Sequence, residues 1–278
     1  MSRTLLYVHR IGRKPERRSM RRILAAVLLI CSAILLLASS YFLIGRLLQE
    51  QKDDVLQEQL KEIYEGDSET DRNEDLGNSQ KQGTSDSPAI KAGLLSLHEE
   101  NPDCIGWITI EGTSIDYPVM YHPDEENYYL KRDFYGSYSA NGCLFISELC
   151  DPSDCDNLII YGHHMNSGKM FAALEGYKHR EFYEEHPLIT YHTLHGKETY
   201  QVFTVFCTPV YTGNDFAYYL FTKAGAEADY TDYVREIMER SLYDTGISAA
   251  YGEKLMTLST CEYSLKNGRV VVVAKKIK

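Results

Sequence analysis

The longest uninterrupted apolar run of the chain is Ile23 to Ile44, "ILAAVLLICSAILLLASSYFLI", 22 residues without a charge. A helix rising about 1.5 Å per residue needs roughly 20 such residues to cross the hydrocarbon of a bilayer, so the run predicts a single transmembrane helix over residues 23–44. A cleaved leader would have a shorter apolar core, roughly 7–15 residues, ending in a small-x-small site. Here "LLASSYFLI" stays apolar beyond its small residues, which favours a retained anchor. From Gly45 to Glu65, Leu48, Val55, Leu56, Leu60 and Ile63 recur at helical spacing among charged residues. That stripe predicts a partly helical stalk, too short for a stable coiled coil. "GDSETDRNEDLGNSQKQGTSDS", Gly66 to Ser87, has almost nothing to bury and predicts a disordered tether. The folded body is expected over residues 88–278.

Within that body, short runs rich in Tyr, Val, Ile and Thr alternate with turn residues. Strands are predicted at Trp107–Ile110, Ile115–Met120, Cys143–Ile146, Leu158–Tyr161, Leu188–His192, Tyr200–Tyr211, Lys254–Thr260 and Val270–Lys275. Helical spacing is rarer: "LLSLHEEN" at the start, "KMFAALEGY" in the middle, and "AEADYTDYVREIMERSL", which sets Tyr230, Tyr233, Val234, Ile237 and Met238 on one face. About eight short strands with a few inserted helices predict a mainly β fold closed, or partly closed, as a barrel.

Charge adds an orientation and removes one class of partner. The net charge is −11, yet residues 1–22 carry +7 and the remainder −18. A basic N-terminal flank next to an apolar span predicts a cytoplasmic N-terminus with everything after Ile44 outside the cell membrane. An acidic body excludes nucleic acid as the expected partner, because phosphate binding requires clustered cations.

The candidate chemistry lies in "LMTLSTCEYSLKNGRVVVVAKK" and "IIYGHHMNSGKMF". Cys261 ends a predicted strand among threonines, serine and glutamate, an unusual setting for a purely structural buried thiol. A nucleophilic thiol needs a base or cation beside it. His163 or His164, leaving a strand after Gly162, can supply the base. Adjacent residues point to opposite sides, so one of the two faces the thiol, and spacing alone does not choose between them. Other histidines, including His179, His186 and His195, read as solvated surface groups. Arg269 follows Cys261 across "EYSLKNG", whose Asn267-Gly268 pair favours a turn. If the flanking strands pair, guanidinium and thiol share one end of the sheet. A fixed, always-charged donor there suits the negative oxygen that thiol attack on a carbonyl creates.

These motifs, in this order, resemble the sortases, the membrane-anchored cysteine transpeptidases of Gram-positive bacteria. "TLSTC" matches their T-L-x-T-C signature, "YGHHM" looks like their strand-Gly-His element, and Arg269 on the following strand completes their triad. The insertion "GNDFAYYLFTKAGAEADYTDYVREIMERSL" and the helix before "IGWITIEGTSIDYPV" are similar to class B members. The resemblance covers nearly the whole chain. It implies an eight-stranded sortase-type β-barrel with inserted helices. It also makes Cys261 the nucleophile, His163 (directly after the glycine) the general acid/base, and Arg269 the oxyanion or carbonyl donor, with Ser259 and Thr260 lining the substrate groove. Glu262 stands where class B members often carry aspartate and receives no catalytic role. The implied reaction cleaves a C-terminal sorting signal of Pro-x-Thr type in a surface protein and joins the threonine carbonyl to an amine of peptidoglycan or a pilin. No cofactor and no metal are implied.

Two other readings start from the same residues. An exported cysteine protease of another fold would resolve its thioester with water, but a papain-like order needs the cysteine before the histidine. A non-catalytic surface-binding module would use the 22 tyrosines, most of which strand propensity already explains. Outside the span, Cys104, Cys143, Cys150, Cys155 and Cys207 accompany Cys261. "CDPSDC" offers Cys150 and Cys155 for a disulfide in an oxidising exterior, for part of a zinc site, or for no special role.

Overall fold

The structure, a computed structural model, describes residues 16–66, 91–210, 216–262 and 268–278. Two compact units divide between Gln49 and Glu50. The first holds most of the helix α1 (Glu16–Gly66), whose apolar segment is long enough to cross a membrane by length and composition. Ile23, Leu29, Leu36 and Phe42 on that segment are all more than half exposed, as an unpartnered apolar helix requires.

The second unit is a closed eight-stranded barrel, as the strand pattern predicts. Its strands are β1 (Cys104–Thr109), β2 (Asp116–Met120), β3 (Leu144–Ile146), β4 (Asn157–Tyr161), β5 (Leu188–Thr193), β6 (Gly196–Pro209), β7 (Leu255–Glu262) and β8 (Gly268–Lys276). Their order around the barrel is β1-β2-β3-β4-β7-β8-β6-β5, closed by β5 pairing with β1. β2–β3 and β4–β7 are parallel, and the other pairs are antiparallel. α2 (Ala92–Glu100) precedes β1 and α3 (Arg180–Glu185) precedes β5. α4 (Glu227–Glu239) occupies the connection between β6 and β7. The segment expected as a helix after the two central histidines is a 3₁₀ helix, Phe171–Lys178. The far end of the predicted sixth strand, at Tyr211, lies outside the described residues.

β8 reads as a nearly continuous apolar run because both its faces are covered, whereas β7 buries Thr257, Ser259 and Thr260 among its apolar residues. Met256, Leu258, Val270, Val272 and Ala274 fill the barrel interior. Leu255, Val271 and Val273 pack with Tyr230, Val234 and Ile237 of α4. The pattern of two, alternating between these clusters, fixes the register, since a slip by one residue would exchange the two faces.

The expected boundary at residue 88 is not the edge of this unit. Residues 50–66, anticipated as a stalk, continue α1 and belong to the barrel unit. Leu60 is fully buried, Tyr64 stacks on Trp107 with ring centroids 4.0 Å apart, and the Ser139 hydroxyl donates to buried Asp53 at 2.7 Å. Lys61 pairs at 2.7 Å with Asp116, which also accepts from Trp107 Nε1. The C-terminal part of the stripe, Leu56, Leu60 and Ile63, is thus a docking face together with Tyr64: burying a leucine and an aromatic ring contributes several kcal/mol, roughly 1.5–3 per large side chain. Residues 67–87 of the expected tether lie outside the described residues.

Candidate active site

The site is built by three adjacent strands. β4 runs parallel to β7 in a register that ends at Tyr161 opposite Ser259. The pairing continues past the strand: Gly162 N–H donates to the Ser259 carbonyl at 3.2 Å, and the Thr260 hydroxyl donates to the Gly162 carbonyl at 2.8 Å. His163, the next residue, therefore leaves β4 at the end of β7 that carries Cys261. On the other side, β8 pairs antiparallel with β7 and sets Arg269 directly opposite Cys261. The three backbone positions singled out in the sequence converge at one end of the barrel. The connecting residues 263–267 lie outside the described residues.

Gly162 is required by close approach. A Cβ there would collide with Leu144 and come within 2.7 Å of a Phe171 ring carbon. This contact lets the chain turn off the strand with His163 outermost. His163 is half-buried, and its Nε2 lies 2.7 Å from the Leu130 carbonyl. A carbonyl can only accept, so Nε2 carries the proton and, in the neutral ring, Nδ1 is left as the base. Its own main-chain carbonyl accepts from Phe171 N–H at 2.9 Å. His164 goes elsewhere: it bridges to Met170, and its Nδ1 lies 3.9 Å from Glu175. Arg269 is half-buried, with Nη1 donating to the Gly268 carbonyl at 3.0 Å. A neutral carbonyl orients the guanidinium without cancelling its charge.

Ser259 and Thr260, expected to line the groove, are 1% and 2% exposed. The Thr260 hydroxyl is taken up by Gly162, and the Ser259 hydroxyl shares a buried 2.7 Å hydrogen bond with Tyr218. These side chains tie β7 to its neighbours, so no exposed hydroxyl remains to meet a substrate. The physical reason is that β7 lies deep in the barrel wall, with α4 and its flanking loops over it.

Two participants were not visible in the sequence. Tyr218, in the 3₁₀ turn Tyr218–Leu220, holds Ser259, and Leu130, in the 3₁₀ turn Tyr128–Lys131, holds His163. Both are long-range partners, 41 and 33 residues away, with no local spacing to announce them. Cys150 and Cys155 are unbonded thiols in mutual contact, far from this end of the barrel. Among the described residues no group of three or more His, Cys, Asp or Glu side chains converges as a metal site.

Comparison with known proteins agrees with this geometry. The family model for the sortase domain matches residues 108–277. Sortase B of Staphylococcus aureus is 34% identical over 192 residues, which are 68% of this chain and 76% of that protein. Sortase B of Listeria monocytogenes is 31% identical over 195 residues, 68% of this chain and 75% of its own. Among solved structures, a Staphylococcus aureus sortase B–substrate complex has a TM-score of 0.69 at 28% identity and covers 83% of this chain and 99% of its own. The Gly-His turn after β4 and the Cys–Arg pair across β7 and β8 fall within the span matched by the family model, and the chain belongs to the sortase family, class B, whose members are cysteine transpeptidases.

Proposed function

We propose that Cys261 is the nucleophile, His163 the general acid/base and Arg269 the donor to the substrate carbonyl. The register that sets Cys261 opposite Arg269, with Gly162 hydrogen-bonded beside them, supports this reading most directly. His163 takes the Cys261 proton at Nδ1, the resulting thiolate attacks the threonine carbonyl of a Pro-x-Thr sorting signal, and the carbonyl electron pair moves to oxygen, where Arg269 stabilises it. Collapse breaks the peptide bond, His163 delivers a proton to the leaving amine, and a thioester to Cys261 remains. An amine of peptidoglycan or of a pilin then attacks the thioester, its proton passing to His163, and releases Cys261. Ser259 and Thr260 act as positioning residues for the strand that carries Cys261.

The apolar part of α1 serves as the anchor, with the N-terminus cytoplasmic and the barrel outside. The basic residues before the span support that orientation. That one similar structure is a sortase B–substrate complex supports a sorting-signal substrate for this chain.

The test uses the full chain in detergent micelles with a peptide bearing an Asn-Pro-x-Thr signal, with and without an added amine. An acyl-enzyme mass on Cys261, followed by amide-linked product when amine is present, is expected. Turnover that persists in Cys261→Ala, or acid as the sole product despite excess amine, would refute the assignment.

A further inference from the structure

A pair of cysteines, Cys150 and Cys155, lies at the opposite end of the barrel from Cys261. A cavity of about 450 Å³ opens among the first residues of β7, the last of β5 and β8, and the loop between β3 and β4; Leu255, Thr193, Lys276 and Cys155 line it. Thr260 and Arg269 sit at the other ends of β7 and β8. Cys155 faces the cavity half-buried, whereas Cys150 is 2% exposed behind it.

The loop "CDPSDC" brings the two thiols together. Cys155 N–H and Asp154 N–H both donate to the Asp151 carbonyl, at 2.8 and 3.0 Å, and the Asp151 carboxylate accepts from Ser153 N–H at 2.9 Å. This tight turn folds the segment back until the Cys150 thiol contacts the Cys155 sulfur. Cys150 is held from behind: Ile159 N–H donates to its sulfur at 3.5 Å, and its thiol lies 3.6 Å from the Asn157 carbonyl. Lys254 donates to the Cys155 carbonyl at 2.8 Å, which keeps a positive charge beside that residue.

We propose that Cys150 and Cys155 form a reversible thiol–disulfide site, addressed through the cavity by a low-molecular-weight disulfide. The Cys155 thiolate attacks one sulfur of R–S–S–R, forming a Cys155–S–S–R bond and expelling RS⁻, which takes a proton. Cys150 then loses its proton, attacks the Cys155 sulfur and expels the second RS⁻. Two protein thiols are oxidised to one disulfide, and the small disulfide is reduced to two thiols. The asymmetry of the pair sets the order of attack. The hydrogen bond from Cys150, together with the nearby Lys254 charge, lowers the Cys155 thiol. The same bond and burial raise Cys150. The cavity-facing sulfur is therefore the better attacking thiolate and the buried one the resolving partner. Cys104 and Cys143 differ from Cys155 in being buried, with burial pushing both up.

The test treats the full chain carrying Cys261→Ala, in detergent micelles, with hydroxyethyl disulfide and maps the products by peptide mass. A Cys150–Cys155 link lacking two hydrogens is expected, reversed by dithiothreitol, with Cys155 modified at least about tenfold faster than Cys104 or Cys143. Cys150→Ser should arrest the reaction at a mixed disulfide on Cys155, and Cys155→Ser should leave Cys150 unmodified. A mixed disulfide that persists on Cys155 with Cys150 present, first modification at another barrel thiol, or no reaction at either would overturn the proposal.

Discussion

The Leu130 carbonyl accepts a hydrogen bond from His163 Nε2 at 2.7 Å, and Gly142 lies immediately behind that carbonyl. Gly142 has φ +60°, and a Cβ there would stand 2.5 Å from the Leu130 oxygen. Gly142→Ala must therefore displace the carbonyl that fixes the His163 tautomer, besides straining the left-handed backbone. The expected result is a fall in kcat of about tenfold or more with KM little changed, since acid–base catalysis contributes roughly 10²–10⁴-fold. Steady-state kinetics with far-UV circular dichroism as a fold control decides the matter; an unchanged kcat would show that Leu130 does not orient the imidazole.

Arg269 offers a test of geometry against charge. Arg269→Lys keeps the cation but loses the planar fork. If the residue serves the developing oxyanion, kcat falls by roughly 10²–10³-fold in Arg269→Ala and is only partly restored by lysine. Equal activity of the lysine variant and the parent would limit the residue to a general electrostatic role.

Tyr218 and Ser259 share a hydrogen bond inside the wall of the barrel. Tyr218→Phe keeps the ring and strands the Ser259 hydroxyl, a loss of about 1–3 kcal/mol. Chemical denaturation reads that loss directly. The double variant Tyr218→Phe with Ser259→Ala should recover part of it, because both polar groups are then gone.

Leu60 tests whether residues 50–66 are part of the barrel's core. Leu60→Ala should cost about 2–5 kcal/mol, the range for a fully buried leucine. Val55, 58% exposed on the same helix, should tolerate alanine with almost no change. Equal, negligible losses at both positions, measured by thermal unfolding of the full chain, would contradict the docking.

His192 gives the barrel an acid-side weakness. Burial, with Lys91 and Lys197 adding to it, holds its imidazole down at about 4, against 6.5 in the unfolded chain. Tyr64 hydrogen-bonds to its Nδ1, an arrangement that fits the neutral ring. Between those pH values the unfolded chain binds the extra proton and the folded one does not. Its contribution is therefore complete above about pH 6.5 and lost as pH falls towards 4. The thermal midpoint should decline across that window in the parent and less steeply in His192→Gln; identical slopes would refute the assignment.

Much of this architecture was legible because burial leaves a mark on composition. β8 announces itself as an apolar run, since it faces a core on both sides. α4 does so through Tyr230, Tyr233, Val234 and Ile237, all buried on one face. What stayed hidden depended on distant partners. The stripe that includes Leu60 read as a stalk because the sequence cannot show the partners it docks on, among them Trp107, which stacks on the neighbouring Tyr64. Ser259 and Thr260 looked available to a substrate because a sequence cannot show Tyr218 and Gly162 occupying their hydroxyls. Leu130 and Glu175, which draw the adjacent rings of His163 and His164 to different neighbours, likewise had no local signal.

The parallel pairing of β4 with β7 joins Gly162 to Thr260 across 98 residues. Closing so long a loop is slow relative to forming local hairpins, because its entropy is lost before the contact compensates. β5–β6 and β7–β8, each joined by a short connection, can form early, but neither brings His163 to the end of β7. On the proposed roles of Cys261, His163 and Arg269, activity should then report closure of the barrel, because a chain in which β4 has not yet met β7 has Cys261 and Arg269 side by side without His163.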